Sequence, residues 1–185
     1  QLIRCAGEDG IAAYGVIMYV NFVFLSVFIG FSIGSAPIFG FNHGAQNHGE
    51  LKNMLRKSLV ILGAVSLIMT AAALLLARPL STVFVGYDAA LLEMTTRGFI
   101  IYSLSFLVCG FNIFGSSLFT ALNNGLISAV ISFIRTLVFQ IAAVLILPVF
   151  FGLDGIWWSV VAAEAAAVVL TGYCCVKFKG RYHYL

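Results

Sequence analysis

Charge is scarce in this 185-residue sequence: Lys, Arg, Asp and Glu together supply 9% of it. Ordinary globular domains carry about 25%. A soluble fold of this length needs more polar surface than that to cover its core, so the scarcity excludes a soluble domain. The net charge of +3 is small and scattered, and no basic face for nucleic-acid phosphates is expected. Cysteine is sparse as well. Cys5, Cys109, Cys174 and Cys175 form no C-x-x-C and no zinc spacing, so they read as packing residues. His43 and His48 are five apart, not the i, i+4 spacing that sets two ligands on one helical face. They read as solvated loop residues, and no metal site is expected. Nor is there a nucleophile constellation at membrane depth, so an enzyme is not expected. The start also lacks a secretory leader: Arg4 is followed by Glu8 and Asp9 directly before the apolar run. Gln1 therefore reads as a point inside a longer chain.

What the sequence has is apolar length. Hydrophobic residues make up 62% and the mean hydropathy is +1.06. A spanning helix needs about 20 mostly apolar residues, and the pattern predicts five: about 11–36, 58–77, 98–122, 126–150 and 155–176. The fold class is thus all-α, a polytopic membrane helix bundle. Asn123-Asn124-Gly125 is a turn signal between the third and fourth spans. The segment from Pro79 to Arg97 reads as a connection with a short amphipathic lead through Leu91, Met94 and Gly98.

Loop charges orient the bundle. Lys52, Arg56 and Lys57 follow the first span, and Lys177, Lys179 and Arg181 follow the fifth. Both groups fall on one side of a five-span bundle. Lys and Arg collect on the cytoplasmic side, which predicts a cytoplasmic C-terminus. The opposite side carries Glu8, Asp9, Asp88, Glu93 and Asp154 with Arg4 and Arg78. Trp157 and Trp158 are expected at that outer interface and Tyr182 and Tyr184 at the inner one.

Two patterns concern packing. Ser26, Gly30 and Gly34 recur every four residues, a small-residue stripe that lets another helix approach closely or slide. Pro37 is expected to end or kink that helix, with Gly40 and Gly44 permitting a tight turn beyond. In the third span Ser105, Cys109, Asn112, Ser116 and Thr120 share one face, which should turn from lipid towards protein or a cavity.

Two charges lie within spans: Arg135 in the fourth and Glu164 in the fifth. Each costs about 2.5–3.5 kcal/mol at mid-membrane on insertion scales. Each is about ten residues from the near end of its span, hence roughly 15 Å deep. On adjacent antiparallel helices they would meet. Two readings stay open: a fixed salt bridge, or a site where Glu164 exchanges a proton or cation and releases Arg135.

The stretch GFSIGSAPIFGFNHGAQNHGELKNMLRKS resembles the loop after the second helix of each lobe in multidrug and toxic compound extrusion (MATE) transporters. Its matching residues are Gly34, Pro37, Gly40, Gly44 and Ala45, with Gly30 in the helix before and Lys52, Arg56 and Lys57 after. GEDGIAAYGVIMYVNFVF, FTALNNGLISAVISFIRTLVFQ and GLDGIWWSVVAAEAAAVV resemble further stretches of the same family in the same order. The resemblance covers essentially all of residues 1–185 and implies helices eight to twelve of a twelve-helix, two-lobed transporter. It implies a partial C-terminal lobe whose partner is the N-terminal lobe of the same protein.

By that resemblance the function is antiport. Amphipathic, often cationic compounds are exported against inward Na⁺ or H⁺, with no cofactor beyond the coupling ion. The implied location is a membrane, bacterial and plasma, with lipid as surroundings. Some family members carry an acidic cation ligand on helix ten, where this sequence offers Asn112. Candidate cavity or coupling residues are therefore Asn112, Arg135 and Glu164. The alternatives are a lipid-linked precursor flippase of the same superfamily, whose cavity should be more cationic, and a non-catalytic structural membrane subunit.

Overall fold

A computed structural model describes residues 1–182 and 184. Among them the chain forms six α-helices and one π-helical segment, with no strand. The elements are α1 (Leu2–Gly44), α2 (His48–Val85), α3 (Ala89–Ser103), α4 (Phe106–Ala121), α5 (Gly125–Phe133), the π-helical segment Ile134–Phe139, and α6 (Gln140–Tyr182). The fold is all-α, as the apolar runs imply, and its long helices carry few charges.

The helices outrun the expected spans. The arm of α1 from Glu8 to Gly44 and the 38-residue α2 are each roughly 55–57 Å long at 1.5 Å per residue. Only about 30 Å of that is needed to cross hydrocarbon. The connections expected around residues 37–57 and 79–97 are thus largely helical. The first turn is Ala45–Asn47, where Gln46 takes φ 55°, and the Asn47 side chain then accepts from Glu50 N–H to cap α2. Gly40 and Gly44 remain helical, so the left-handed turn residue is a glutamine. Pro37 also stays inside α1. It removes one backbone hydrogen bond and sits exposed, and the rest of the ladder carries the helix on. Pro79 stands inside α2 in the same way. Asp88 caps α3, accepting from the N–H groups of Ala90 and Leu91.

The span expected over 98–122 is broken. α3 and α4 meet at Leu104–Ser105 with a bend of 50°. The 58 residues from Gly125 to Tyr182 are helical almost throughout, yet they fold back on themselves. Arg135 and Glu164 would lie about 43 Å apart along a straight helix, and their side chains touch. The reversal is at Gly152, with φ 56° and ψ −131°, a conformation open to glycine because it has no Cβ. Three residues on, Gly155 presses against the Leu147 carbonyl.

The same device recurs near the start of the chain. Gly7 has φ 60° and ψ −143°, and a Cβ on Gly10 would stand 3.3 Å from the Leu2 carbonyl oxygen. Gly7-Glu8-Asp9-Gly10-Ile11 and Gly152-Leu153-Asp154-Gly155-Ile156 are one motif used twice. Each opens a helix at the end of the bundle opposite Lys52, Arg56 and Lys57. That is the acidic end of the bundle, with Glu8, Asp9, Asp88, Glu93 and Asp154, and the other is the basic end.

The core runs along the axis as aromatic contacts. Phe24 stacks on Phe106 with centroids 5.2 Å apart, Phe39 meets Phe114 edge-on at 5.6 Å, and Phe119 meets Phe178 at 6.0 Å. Glycines admit two of the rings: Phe28 lies over Gly110 and Trp157 over Gly98. Trp157 is therefore buried and stacks on Tyr14, while Trp158 beside it is exposed. Tyr182 and Tyr184, at the basic end, are buried as well. The Tyr182 hydroxyl accepts from Asn124, and Tyr184 donates to the Cys175 carbonyl. Burial pushes the Tyr184 phenol above its ordinary range, which keeps it a neutral donor.

Candidate functional site

Three elements each deliver one polar residue to the middle of the bundle. α4 carries Asn112, the π-helical segment carries Arg135, and the second arm of α6 carries Glu164. Asn112 is ten residues from the α4 C-cap Leu122, Arg135 is ten from Gly125, and Glu164 is twelve from Gly152. All three therefore sit roughly 15–18 Å from their helix ends.

Their contacts form one network. Arg135 Nε donates to both Glu164 oxygens at 2.9 and 3.1 Å, and Nη2 donates to Oε1 at 2.8 Å. Such a two-pronged fit is the strong form of the pair. Asn112 Nδ2 donates to Glu164 Oε2 at 2.7 Å and to the Glu164 carbonyl at 3.0 Å. Asn112 Oδ1 in turn accepts from Thr171 Oγ1 at 3.2 Å. Both amide hydrogens and the amide oxygen of Asn112 are thereby used, and the residue is 0% exposed. It holds the carboxylate in place. The Arg135 and Glu164 side chains are 17% and 13% exposed, so the pair is not fully enclosed.

Two local features make this possible. Gly115, one turn after Asn112, lies directly against the Thr171 methyl, so α4 and α6 approach to side-chain bonding distance. The π-helical segment is the other. One extra residue in a turn offsets the faces before and after it by about 100°, and such segments recur at functional sites. No sequence pattern announced it. Thr171 was also missed, since a lone Thr in a span carries no signal of its own.

The polar face of the third span turns inward, towards protein. Ser116 Oγ lies 2.8 Å from the hydroxyls of both Ser128 and Ser132, and Thr120 donates to Ser128 at 2.8 Å. These hydroxyls stitch α4 to α5 between the basic end and the ionic network.

The stripe on α1 behaves otherwise. Ser26, Gly30 and Gly34 are all exposed, and a Cβ on Gly30 or Gly34 would meet nothing within 4 Å. No described element packs there. Gly40 is different, since a Cβ would reach the Ala121 carbonyl oxygen at 3.4 Å. Gly44 has open space around it, and Pro37 and Ala45 are exposed. His43 is half-buried against the Tyr182 ring, not a free loop residue. No group of three or more His, Cys, Asp or Glu that could hold a metal occurs among the described residues.

A helical bundle with apolar outer faces and a half-buried, hydrogen-bonded ion pair at mid-depth defines an integral membrane protein of the polytopic helical class. A family model described as MatE matches residues 2–146, and the chain belongs to that family. Asn112 and Arg135 lie within the matched stretch and Glu164 beyond it. No curated protein matches the sequence. Among solved structures, the outward-facing conformation of a multidrug resistance MATE family transporter of the MOP superfamily superposes with a TM-score of 0.91 at 18% identity. That match covers 100% of this chain and 42% of the other. The inward-facing conformation of such a transporter gives 0.91 at 18% identity, covering 98% and 42%. A Vibrio cholerae MATE transporter in the bent form gives 0.87 at 17% identity, covering 95% and 40%. The chain thus spans less than half the length of the transporters whose fold it shares.

Proposed function

We propose that this chain forms most of one lobe of a secondary antiporter. The whole protein exports amphipathic, often cationic compounds in exchange for Na⁺ or H⁺. The observation that carries the reading is the Asn112–Glu164–Arg135 network. Ionisable groups inside a membrane are costly and mark ion or proton pathways, and this pair lies in a family of transporters. The coupling step is a change in Glu164: when it takes up a proton or cation, its grip on Arg135 weakens, and the π-helical segment is free to shift.

Alternating access needs one lobe to rock against another. The unpacked stripe Ser26, Gly30 and Gly34 suits that contact, because small residues let a helix slide closely. Similarity of equal degree to an outward-facing and an inward-facing transporter fits a lobe that keeps its shape during rocking. The flippase alternative is less favoured. Among the described residues Arg135 is the base at mid-depth, and Glu164 already neutralises it. In the proposed orientation the basic end is cytoplasmic, following the Lys and Arg bias, and a bacterial plasma membrane is the setting.

Ethidium efflux from cells expressing the full gene, under an imposed Na⁺ or proton gradient, tests the function. One gradient should drive efflux, and Glu164→Gln should slow it about tenfold at normal expression. Efflux by Glu164→Gln that matches wild type across pH overturns the coupling role. Efflux independent of both gradients overturns antiport.

A further inference from the structure

We infer that a cavity at the acidic end binds the headgroup of a zwitterionic phospholipid, an ammonium joined to a phosphate. The cavity has a volume of about 740 Å³ and is lined by Arg78, Glu93, Thr96, Arg97, Asp154 and Trp158. It lies between the end of α2, α3 and the start of the second arm of α6, away from the Asn112–Glu164–Arg135 network.

Its charges are arranged unevenly. Arg97 donates to Asp154 and the two neutralise each other. Arg78 and Glu93 line the same cavity, yet neither is in an ion pair with the other or with any described residue. Both are exposed, so one cation and one anion border a common, open space without touching. A ligand bearing both charges would satisfy them together, its phosphate on Arg78 and its ammonium on Glu93. A purely anionic headgroup would meet Arg78 and be repelled by Glu93.

Position argues for a lipid as the source. Arg78 is 21 residues beyond Lys57 on α2, about 31 Å along the axis, which is one hydrocarbon thickness. The cavity therefore lies at headgroup depth in one leaflet. Trp158 is 42% exposed at its rim, as indoles are at that level. Ile100 and Ile101 continue the wall towards mid-membrane, where acyl chains would lie.

The test uses the full-length protein in nanodiscs holding equal palmitoyl-oleoyl phosphatidylethanolamine and phosphatidylglycerol, released into native mass spectrometry. Retained phosphatidylethanolamine should exceed phosphatidylglycerol. Arg78→Gln and Glu93→Gln should each lower it about fivefold, the scale of one exposed ion pair. Lys57→Gln, at the other end, should leave it unchanged. Excess soluble phosphoethanolamine should not displace it. Thermal melting identifies a variant that fails to fold, and the other variant then carries the comparison. Equal retention of the two lipids, undiminished retention in a folded Arg78→Gln or Glu93→Gln, or no phospholipid adduct overturns the proposal. Displacement by soluble phosphoethanolamine overturns the lipid as its source.

Discussion

Arg135 and Glu164 compensate each other's burial, so each is costly without the other. Removing one partner of a fully buried pair typically costs about 3–5 kcal/mol, and this half-buried pair should cost somewhat less, while replacing both with apolar residues is often neutral. Arg135→Leu should therefore lower the melting temperature of the purified protein sharply. Arg135→Leu combined with Glu164→Leu should restore most of it, whatever happens to transport. A double variant as unstable as the single one would show that Asn112, and not the ion pair, dominates this site. The two charges and Asn112 were legible as candidates because polarity inside an apolar run is conspicuous. Their order of contact was not. That Asn112 spends both N–H groups on Glu164 depends on a rotation of α4 that residue spacing leaves open.

At the scale of elements, glycines decide where helices touch and where the chain turns back. Gly115 admits Thr171, and a Cβ there would collide with the threonine methyl. Gly115→Ala should destabilise by about 1–3 kcal/mol, the usual cost of overpacking. Adding Thr171→Ser removes the methyl, keeps the hydroxyl for Asn112, and should recover most of the loss in a denaturation series. Gly152→Ala places a Cβ at φ 56°, ψ −131°, a sparsely populated region that costs about 1–3 kcal/mol. Gly155→Ala should be worse, because its Cβ would strike the Leu147 backbone. Equal stability of both variants and wild type would mean the reversal tolerates another backbone path. The G-x-D-G-I repeat was present in the sequence as a clue to this reversal. Hydropathy passed over it, since a window average does not register φ.

For the molecule as a whole, the exposed stripe on α1 makes a separable prediction. Gly30 and Gly34 have open space around them, so Gly34→Leu should leave the packing of this bundle intact. It should still slow transport by the full protein if the other lobe docks there. Unchanged melting with reduced efflux is the expected pair of results, and full efflux would place the lobe contact elsewhere. Orientation is tested in the same protein by introducing Asn53→Cys, in a background with the native cysteines replaced. An impermeant maleimide added outside intact cells should leave it unlabelled in the proposed orientation, and labelling from outside overturns that orientation.

Class was readable from the sequence alone, because the scarcity of charge and the length of apolar runs are sums over residues and need no geometry. The same holds for the two mid-membrane charges and the side on which Lys and Arg gather. Tertiary structure decided what depends on direction. The π-helical offset turns Arg135 to its partner, the left-handed Gly152 folds 58 helical residues into two arms, and the α1 stripe is left without a neighbour. Each of these follows from backbone angles and from which faces meet, and those are settled only when all the helices pack at once.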